Sequence, residues 1–459
     1  MHGLEATRMS AVRLFLILIL FAGFPLAGEA GESIRTISAA QADSMARIQV
    51  YYRNRVVPFH TVAHDVTLKL TGKTKVATLD EVRFVASLML YPSDWAKVPL
   101  LKIKDAQLAD SLGIKKNEMI AIANLFDADE EYKLKNWYRG TDKGFDKAIL
   151  DLDEKVEIIL LLHTNSLFLP LEETDFQPIS EKRVTLEIFY NKFGIVRWLF
   201  IAIFGCTLIA LLYMLLKTGF LNFTASQALL NITRSALLTI YILLSGVAVF
   251  NFVARWIIGG HIPLAGGEQV MMFMTMFLLI ATVIFSFRKP WVALCALGMS
   301  GFTALVARIS SNDPIVTSLS PALASPWLAF HVSVIMASYA VLIIILPLSI
   351  ASEFLSRDKV RKLIKPVYYL NVSGVILLVV GIILGSLWAK GAWGSYWSWD
   401  PKENWAAVTL IAYAFPLFFK KYMISHPCLY NAILICAFIF MVITYYGVNY
   451  MSSLHSYGT

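Results

Sequence analysis

Five of the eleven tryptophans lie in one short segment, residues 388–405, which reads WAKGAWGSYWSWDPKENW. An interfacial belt spreads one or two aromatic residues over each end of a membrane span, whereas this segment concentrates them in one place. Indole rings offer a large contact area at a small cost in side-chain entropy. The segment therefore predicts a binding platform for a large, flat, apolar ligand. The platform residues are Trp393, Tyr396, Trp397, Trp399 and Trp405.

Two histidines flank this segment in the sequence. His331 lies about 20 residues before the polar run that begins at Ser352, a helical distance of about 30 Å, which places it at the far end of an apolar span. His455 follows the last apolar run, in the stretch LHSYG. A lone histidine at a membrane boundary is usually a hydrogen-bonded interface residue, but imidazole is also a common ligand of haem iron. Two histidines beside an aromatic platform favour the second interpretation, in which His331 and His455 bind the iron from opposite faces.

The carboxylate of Asp400, at the end of the tryptophan-rich stretch, has a structural explanation. Asp400 at the N-cap, Pro401 at the first helical position and Glu403 at the third form a favourable start for a helix, because the two carboxylates accept hydrogen bonds from backbone amides that the helix leaves unpaired. Asp400 is therefore predicted to begin the next helix and to fix the loop before it, rather than to act as an acid or base. Lys390 and Lys402 are candidates for pairing with carboxylates of the ligand.

The composition places these residues in a membrane protein. The chain has 459 residues, of which 57% are hydrophobic and 16% charged, whereas a soluble domain carries roughly 25% charged residues. Its mean hydropathy is +0.63. The sequence therefore predicts an all-α polytopic membrane protein with about eight transmembrane helices, each about 20 residues long. The predicted spans are 196–216, 236–256, 268–287, 290–308, 330–352, 368–388, 404–420 and 428–449.

Basic residues cluster in alternate loops between these spans, and positively charged loops face the cytoplasm. The tryptophan-rich loop, 388–405, and the C-terminal tail are then predicted on the other side of the membrane. The clusters also account for much of the net charge of +8, so the basic character requires no nucleic-acid partner. They are Lys217 with Arg234, Arg288 with Lys289, the run from Arg357 to Lys365, and Lys420 with Lys421.

The N-terminal part of the chain predicts two further regions. Arg8 and Arg13 precede an apolar stretch, and small residues follow it, an order typical of a secretory signal peptide or signal anchor over residues 1–30. Residues 31–192 are mixed in polarity and predict an exported, mainly helical soluble domain, with helical periodicity around 79–92, 104–123 and 150–163. The transmembrane domain then covers residues 193–459.

Two other groups of residues could carry chemistry. His60 and His64 are four residues apart and would share one face of a helix, which could form a metal or haem site; no third ligand is evident, and the alternative is an ordinary folded surface. The cysteines lie in or at the ends of spans without a CxxC or CxxCH pattern, so they are predicted to be packing residues. This pattern excludes a c-type cytochrome and a thiol oxidoreductase. The four cysteines are Cys206, Cys295, Cys428 and Cys436.

The string WGSYWSWDPKENW resembles the tryptophan-rich "WWD" signature of the haem-handling protein family. Among its members the chain is most similar to the CcsA (ResC) type of cytochrome c biogenesis protein, from about Arg255 to the C-terminus. The similarity includes RWIIGGHIPLAGGE, SPWLAFHVSVIMASYA and YYGVNYMSSLHSYG, whose His331 and His455 match the family's two external axial histidines. More weakly, RNRVVPFHTVAHDVTLKLTGK resembles the region that precedes this module in fused cytochrome c synthases.

The resemblance implies a function in cytochrome c maturation. It implies that haem b, as substrate or bound ligand, is held between the two histidines against the loop and is presented for thioether attachment to the CxxCH motif of apocytochrome c. The chain would then be a component of a holocytochrome c synthase that acts with a CcsB (ResB)-type membrane partner, depends indirectly on thiol reductant proteins and also exports haem. The resemblance further implies a bacterial inner-membrane protein whose soluble domain, loop and C-terminus are periplasmic.

Two other functions remain as alternatives. One is a haem-delivery or scaffold membrane protein without ligation activity. The other is a b-type electron-transfer subunit, which would need histidine pairs near the middle of the membrane, and the predicted spans almost lack histidine.

Two positions depart from the family pattern or leave their role open. The family has a further histidine in the span after the loop, at a haem entry site within the membrane, and Phe418 stands at about that position. His261, in GGHIPLAGGE, resembles a residue of a family loop near the external site, where a purely structural role is an equal alternative.

Overall fold

The structure, a computed structural model, describes residues 34–127, 129, 131–138, 140, 142–217, 226–310, 315–319, 325–354 and 357–451. The predicted signal segment, 1–30, and His455 in the C-terminal tail lie outside these residues. The chain divides into two compact units with the boundary between Lys192 and Phe193, and the segment 315–318 belongs to the first unit.

Helices predominate in the first unit, together with short strands. The helices are α1 (Ala39–Ala46), α2 (Phe59–Thr71), α3 (Glu81–Leu90), α4 (Pro92–Trp95), α5 (Ala106–Ser111), α6 (Lys143–His163) and α7 (Glu181–Phe193), which ends at the boundary. The strands are β1 (Gln49–Tyr52), β2 (Arg55–Pro58), β3 (Lys75–Val76), β4 (Leu79–Asp80), β5 (Pro99–Lys102), β6 (Met119–Ala121) and β7 (Leu169–Pro170). They pair antiparallel in the orders β2-β1-β7, β3-β4 and β5-β6.

Two of the three predicted helical regions in this unit are confirmed. α3 corresponds to 79–92, and α6 contains 150–163. The prediction for 104–123 is wrong, because α5 ends at Ser111 and the chain returns as β6. Gly113 and Asn117 take φ values of +71° and +69° between them, a left-handed conformation that ends a helix.

The core of the first unit includes a residue that is remote in sequence. Ile315, which follows the fourth predicted span, is 4% exposed in this core. Three residues later, the hydroxyl of Ser318 donates a hydrogen bond of 3.3 Å to the carbonyl oxygen of Arg53. The segment 315–318 is therefore an integral part of the first unit.

The second unit contains the helices that are long and apolar enough to cross a membrane. Among the described residues, seven helices meet this criterion: α8 (Ile195–Lys217), α9 (Gln227–Gly259), α10 (Gly267–Ser286), α11 (Pro290–Ser310), α12 (Pro326–Glu353), α13 (Arg357–Trp393) and α16 (Pro427–Tyr445). The predicted span 404–420 corresponds to α14 (Pro401–Phe418), whose polar first turn lowers its mean hydropathy, and the short α15 (Lys420–Ser425) follows. The predicted all-α, multi-pass membrane fold is confirmed.

α13 extends beyond the predicted span at both ends. The basic run from Arg357 to Lys365, predicted as a loop, forms its first turns, because lysine and arginine favour helix. At the other end α13 continues to Trp393, since Ala389, Lys390 and Ala392 are also good helix formers. The predicted loop 388–405 is therefore shorter, and its irregular part is 394–400.

Candidate functional site

The second unit contains a cavity of about 690 Å³. Its wall is formed by the ends of α9, α13 and α16, the starts of α10, α12 and α14, and the stretch 394–400. We name it the aromatic cavity. The lining residues that could bind a ligand are His261, His331, Trp388, Tyr396, Trp397 and Lys402.

His331 is held at the wall of this cavity by α13. Its Nδ1 atom donates a hydrogen bond of 2.7 Å to the carbonyl oxygen of Gly381. Because a carbonyl oxygen can only accept, Nδ1 carries the hydrogen, and Nε2 carries the lone pair of the neutral ring. Histidines that bind metals usually have this arrangement, in which a second hydrogen bond fixes the tautomer and the orientation of the ring.

Glycines on one face of α13 make this hydrogen bond possible. A Cβ atom at Gly385 would lie 2.6 Å from Cε1 of His331, and one at Gly381 would lie 2.5 Å from Cδ1 of Ile335. One turn further along α12, the hydroxyl of Ser338 donates a hydrogen bond of 2.8 Å to the carbonyl oxygen of Gly374. Small residues allow close helix packing in membranes, so α12 side chains can reach the α13 backbone. The spacings of seven and four residues between these glycines are a sequence signal for a shared helix face.

The stretch 394–400 is fixed at both ends. Gly394, with φ +80°, ends α13, and its carbonyl oxygen accepts a hydrogen bond of 2.7 Å from Nζ of Lys390, which also lies over the Tyr396 ring. At the other end Asp400 is the N-cap of α14, as predicted, and accepts a hydrogen bond of 2.9 Å from the backbone amide of Lys402. The Glu403 carboxylate accepts from the backbone amides of Ser398 at 2.7 Å and Asp400 at 3.2 Å. The capping box therefore determines the path of the loop.

The predicted aromatic residues separate into two groups in the structure. Tyr396 and Trp397 line the cavity. Trp393 packs edge-on against Trp388, with 5.0 Å between ring centroids, and Trp405 packs against Phe440. Trp399 is 76% exposed and is in edge contact with Trp397. The structure thus brings His331, Tyr396 and Trp397 to one cavity, whereas Trp393, Trp399 and Trp405 are not among its lining residues.

Two cavity residues were not among those predicted to bind the ligand. Trp388 belongs to the tryptophan-rich segment but lies within α13. His261 also lines the cavity, and its Nδ1 atom lies 3.1 Å from the carbonyl oxygen of Ile262. The loop that carries it is held by an ion pair between Arg255 and Glu268, with N–O distances of 2.6 and 3.3 Å. This pair joins the end of α9 to the start of α10 and so fixes the position of the loop.

The other predicted histidine pair lies in the first unit and is buried. His60 and His64 are 2% and 6% exposed, so the expectation of an ordinary surface is wrong. They share a face of α2, and both approach Glu81 of α3: Nδ1 of His64 lies 2.8 Å from Oε1, and Nε2 of His60 lies 3.6 Å from Oε2. In the part of the chain that the structure describes, no group of three or more histidine, cysteine, aspartate or glutamate residues is arranged to hold a metal ion.

Comparisons with known proteins identify the family of the second unit. A family model described as "Cytochrome C assembly protein" matches residues 264–455. CcsA of Prochlorococcus marinus strain NATL2A is 32% identical to this chain, over 45% of the chain and 80% of the relative. The chain belongs to the CcsA family of cytochrome c biogenesis proteins. CcsA of Chlamydomonas reinhardtii is 34% identical, over 46% of the chain and 65% of the relative.

A longer relative of this CcsA-family chain is similar to more of its length. Protein NrfI of Wolinella succinogenes is 26% identical over 88% of the chain, which spans about half (53%) of the length of NrfI. The likeness to NrfI therefore extends into the first unit, whereas the family model begins at Leu264, after Arg255 and His261.

The position at which the CcsA family resemblance leads us to expect a further histidine lies at the end of α14. Phe418 is 84% exposed, the largest exposure on this helix among the large hydrophobic residues that the structure describes. His426, the next histidine in the sequence, is exposed, and its Nδ1 atom lies 3.0 Å from the carbonyl oxygen of Tyr422. Neither residue lines the aromatic cavity.

Proposed function

We propose that this protein holds haem b in the aromatic cavity and presents it to apocytochrome c during cytochrome c maturation. The observation that carries the proposal is the orientation of His331 at the wall of a cavity of about 690 Å³. Its Nδ1 atom donates a hydrogen bond of 2.7 Å to the carbonyl oxygen of Gly381. Its Nε2 atom then binds the iron. The volume lies within the range of about 300–1,000 Å³ that is usual for small-molecule sites.

The second axial ligand is His455. It lies outside the described residues, but the preceding chain reaches the cavity, since Tyr445, Tyr446 and Asn449 are lining residues. Six residues of chain span up to about 20 Å, so the segment after Asn449 is long enough to bring His455 to the iron.

The remaining lining residues orient the ligand. Trp388, Tyr396 and Trp397, which line the cavity, contact its flat face. Trp393 packs against Trp388, and Trp399 against Trp397. Trp405 packs against Phe440. Lys402, at the cavity wall, pairs with a carboxylate of the ligand. Asp400 contributes only by capping α14 and thereby fixing the loop.

The chemistry of attachment belongs to haem and to the thiols of the client. Each thiol of a CxxCH motif adds across one vinyl group, which forms a carbon–sulfur bond and places the thiol hydrogen on the neighbouring carbon. The protein supplies orientation and proximity, which convert a slow encounter into a reaction between positioned groups. On this basis it acts as the haem-lyase component of a holocytochrome c synthase, and haem export through the same chain completes the pathway.

The proposed site faces the periplasm of a bacterial inner membrane. The basic residues between spans favour this orientation, with the tryptophan-rich loop and the C-terminal tail outside. The first unit precedes the first span, and its segment 315–318 follows the fourth. Because an even number of spans, four, separates residues 34–192 from the segment 315–318, the connectivity supports the location of both on the same side of the membrane.

We infer a second protein in the reaction besides apocytochrome c. The resemblance of the tryptophan-rich segment to the CcsA (ResC) type implies that this partner is a CcsB (ResB)-type membrane protein. Thiol reductants act indirectly, by keeping the CxxCH cysteines reduced.

A reporter experiment tests ligation. The protein is co-expressed with a soluble cytochrome c reporter, with and without a CcsB-type partner, and haem that remains on the reporter after denaturation and extraction is measured. We expect covalent haem on the CxxCH reporter and none on a reporter in which both cysteines are alanine. Transfer of extractable haem to both reporters, without covalent attachment, would instead support the haem-delivery alternative.

A further inference from the structure

A second, smaller cavity lies between α8, α9, α10 and α11, and the proposed function does not use it. Its volume is about 290 Å³, less than half that of the aromatic cavity. The polar groups at its wall are Lys217 at the end of α8, Arg234 in α9, the buried Tyr213 and Tyr241, and Ser286, whose hydroxyl donates to the carbonyl oxygen of Val283. We name it the basic pocket.

The charge of this pocket is uncompensated by acidic residues. No aspartate or glutamate is among its lining residues, and no ion pair joins Lys217 or Arg234 to a carboxylate within the part of the chain that the structure describes. Nζ of Lys217 lies 5.7 Å from the centroid of the Tyr213 ring, so the aromatic ring positions this cation at the wall. The acidic residues of the second unit are few: Glu268, Glu353, Asp358, Asp400 and Glu403.

The length of α9 indicates that the pocket lies at the level of the membrane interface. α9 has 33 residues, which corresponds to a length of about 50 Å, whereas the hydrocarbon core is about 30 Å thick. Its first turns contain Gln227, Asn231 and Arg234, and an apolar stretch follows. These first turns, together with Lys217, therefore lie at the level of the lipid headgroups. The remaining wall is apolar and includes Met214, Leu237 and Leu294.

We propose that the basic pocket binds the phosphate headgroup of an acidic phospholipid. The two cations contact the phosphate, the hydroxyl groups of Tyr213 and Tyr241 are available as donors, and the acyl chains follow the apolar wall. Basic pockets between transmembrane helices on the cytoplasmic side are typical binding sites for such headgroups. A complete haem is disfavoured as the occupant, because the pocket has less than half the volume of the aromatic cavity.

The test is a lipid titration of the intact protein purified in mild detergent, with bound lipid counted by native mass spectrometry. The probes are phosphatidylglycerol, phosphatidylcholine, inorganic phosphate and haem. Removing both charges in K217Q/R234Q is expected to weaken phosphatidylglycerol binding by about fivefold for each cation, roughly 25-fold in total. Phosphatidylcholine binding is expected to be weak and unchanged.

The matched control is R288Q/K289Q, which removes two exposed cations beside the pocket that do not line it. It is expected to change binding less than twofold, and K217R/R234K, which keeps both charges, is expected to retain it.

Equal losses in both glutamine pairs would overturn the proposal, because the effect would then be general surface charge. Inorganic phosphate that binds as tightly as the lipid would overturn it in favour of a free-anion site, and displacement of the lipid by haem would overturn it in favour of haem. If K217Q/R234Q fails to fold, the two single substitutions decide between the same outcomes.

Discussion

The histidines of the two units differ in a way that the sequence pattern does not reveal. His60 and His64 have the i, i+4 spacing of a ligand pair, yet both are buried in the core of the first unit against the Glu81 carboxylate. His331 has no histidine one turn away, yet its ring is oriented at the wall of a cavity by a backbone carbonyl of another helix. Spacing places side chains on one face of a helix, but a ligand also needs space next to that face.

The burial of His60 also determines its electrostatic environment. Burial, followed by the charge of Lys192 and by His64, lowers the pKa of His60 to about 3. Its Nδ1 atom is buried with no hydrogen-bond partner among the described residues. His60 is therefore a neutral core residue at physiological pH. His60 and His64 of the first unit therefore have a structural role, and we predict a ligand role only for histidines of the second unit, His331 and His455.

The largest expected effect comes from exchanging His331 for glycine. If Nε2 of His331 binds the iron, the purified protein shows a six-coordinate, low-spin haem spectrum, and H331G loses it entirely. Added imidazole fills the space of the deleted side chain and restores the spectrum, whereas a packing role would not be repaired by free imidazole. The measurements are the absorption spectrum and the yield of covalent cytochrome.

Two histidines outside the cavity provide the control for this experiment. H60Q in the first unit and H426G at the exposed end of the second unit are expected to keep the wild-type spectrum. An unchanged spectrum in H331G, or the same loss in H60Q, would contradict the distinction between the two regions and would place the haem elsewhere.

A smaller effect is expected from the glycine that supports His331. In G385A the new Cβ atom would lie 2.6 Å from Cε1 of the imidazole, so the ring must move away from its hydrogen bond with Gly381. Loss of a second-shell contact typically weakens metal binding by about 10–100-fold, and we expect haem affinity to fall within this range. The measurement is haem titration of the purified protein.

The same helix offers a matched control. Gly391 is also helical, and a Cβ atom there would have no neighbour within 4 Å. G391A is expected to leave haem affinity unchanged, since alanine only improves helix propensity. Equal affinities for G385A and G391A would show that the close approach of α12 and α13 does not position the histidine.

The parts of the site that could be predicted are those that depend only on residues close together in the sequence. The cap at Asp400 follows from the Asp-Pro-x-Glu order, and the aromatic segment from the concentration of tryptophans. Whether an indole faces the cavity depends on where α13 ends, and Gly394 ends it later than expected. The burial of His60 and His64 could not be predicted, because it results from the packing of α3, with Glu81, against α2. The fold class required only the lengths of the apolar runs.

The pH dependence of stability is expected to separate the units further. In the folded protein the pKa of His60 is lowered from 6.5 to about 3, and burial also lowers that of His163 to about 4. The unfolded chain therefore binds protons that the folded first unit does not bind. The stability from these neutral histidines is fully present above about pH 6.5 and is lost as the pH falls, by about 1.4 kcal/mol per pH unit for each histidine.

Hydrogen exchange of α3 in the intact, solubilised protein measures this effect, after correction for the intrinsic exchange rate. Between pH 6.5 and 5.5, H60Q is expected to reduce the slope of the free energy of opening by about 1 kcal/mol per pH unit, because the unfolded imidazole is only partly protonated at the upper end of this range. H426Q, at an exposed site, should have the wild-type slope. The expectation fails if the slopes of wild type and H60Q coincide.

The smallest expected effect compares two helix caps, one in each unit. Asp142 accepts hydrogen bonds from the backbone amides of Gly144 and Phe145 at 3.1 and 3.2 Å. Asp400 accepts from that of Lys402 at 2.9 Å and, in the capping box, from that of Glu403. Replacing either by alanine is expected to cost about 1 kcal/mol of stability, and asparagine much less, because a cap needs a side-chain acceptor and not a charge. Only the cap at Asp400 also holds the loop with Tyr396 and Trp397, so only D400A should lower haem occupancy, by about fivefold if the lost stability acts on the loop. General acid–base chemistry makes a different prediction, because it needs the ionisable carboxyl and would not tolerate asparagine. Cytochrome yield at equal protein level therefore separates the two roles. If D400N and D400A were equally inactive while both still bound haem normally, Asp400 would act in the reaction itself and not through the geometry of the loop.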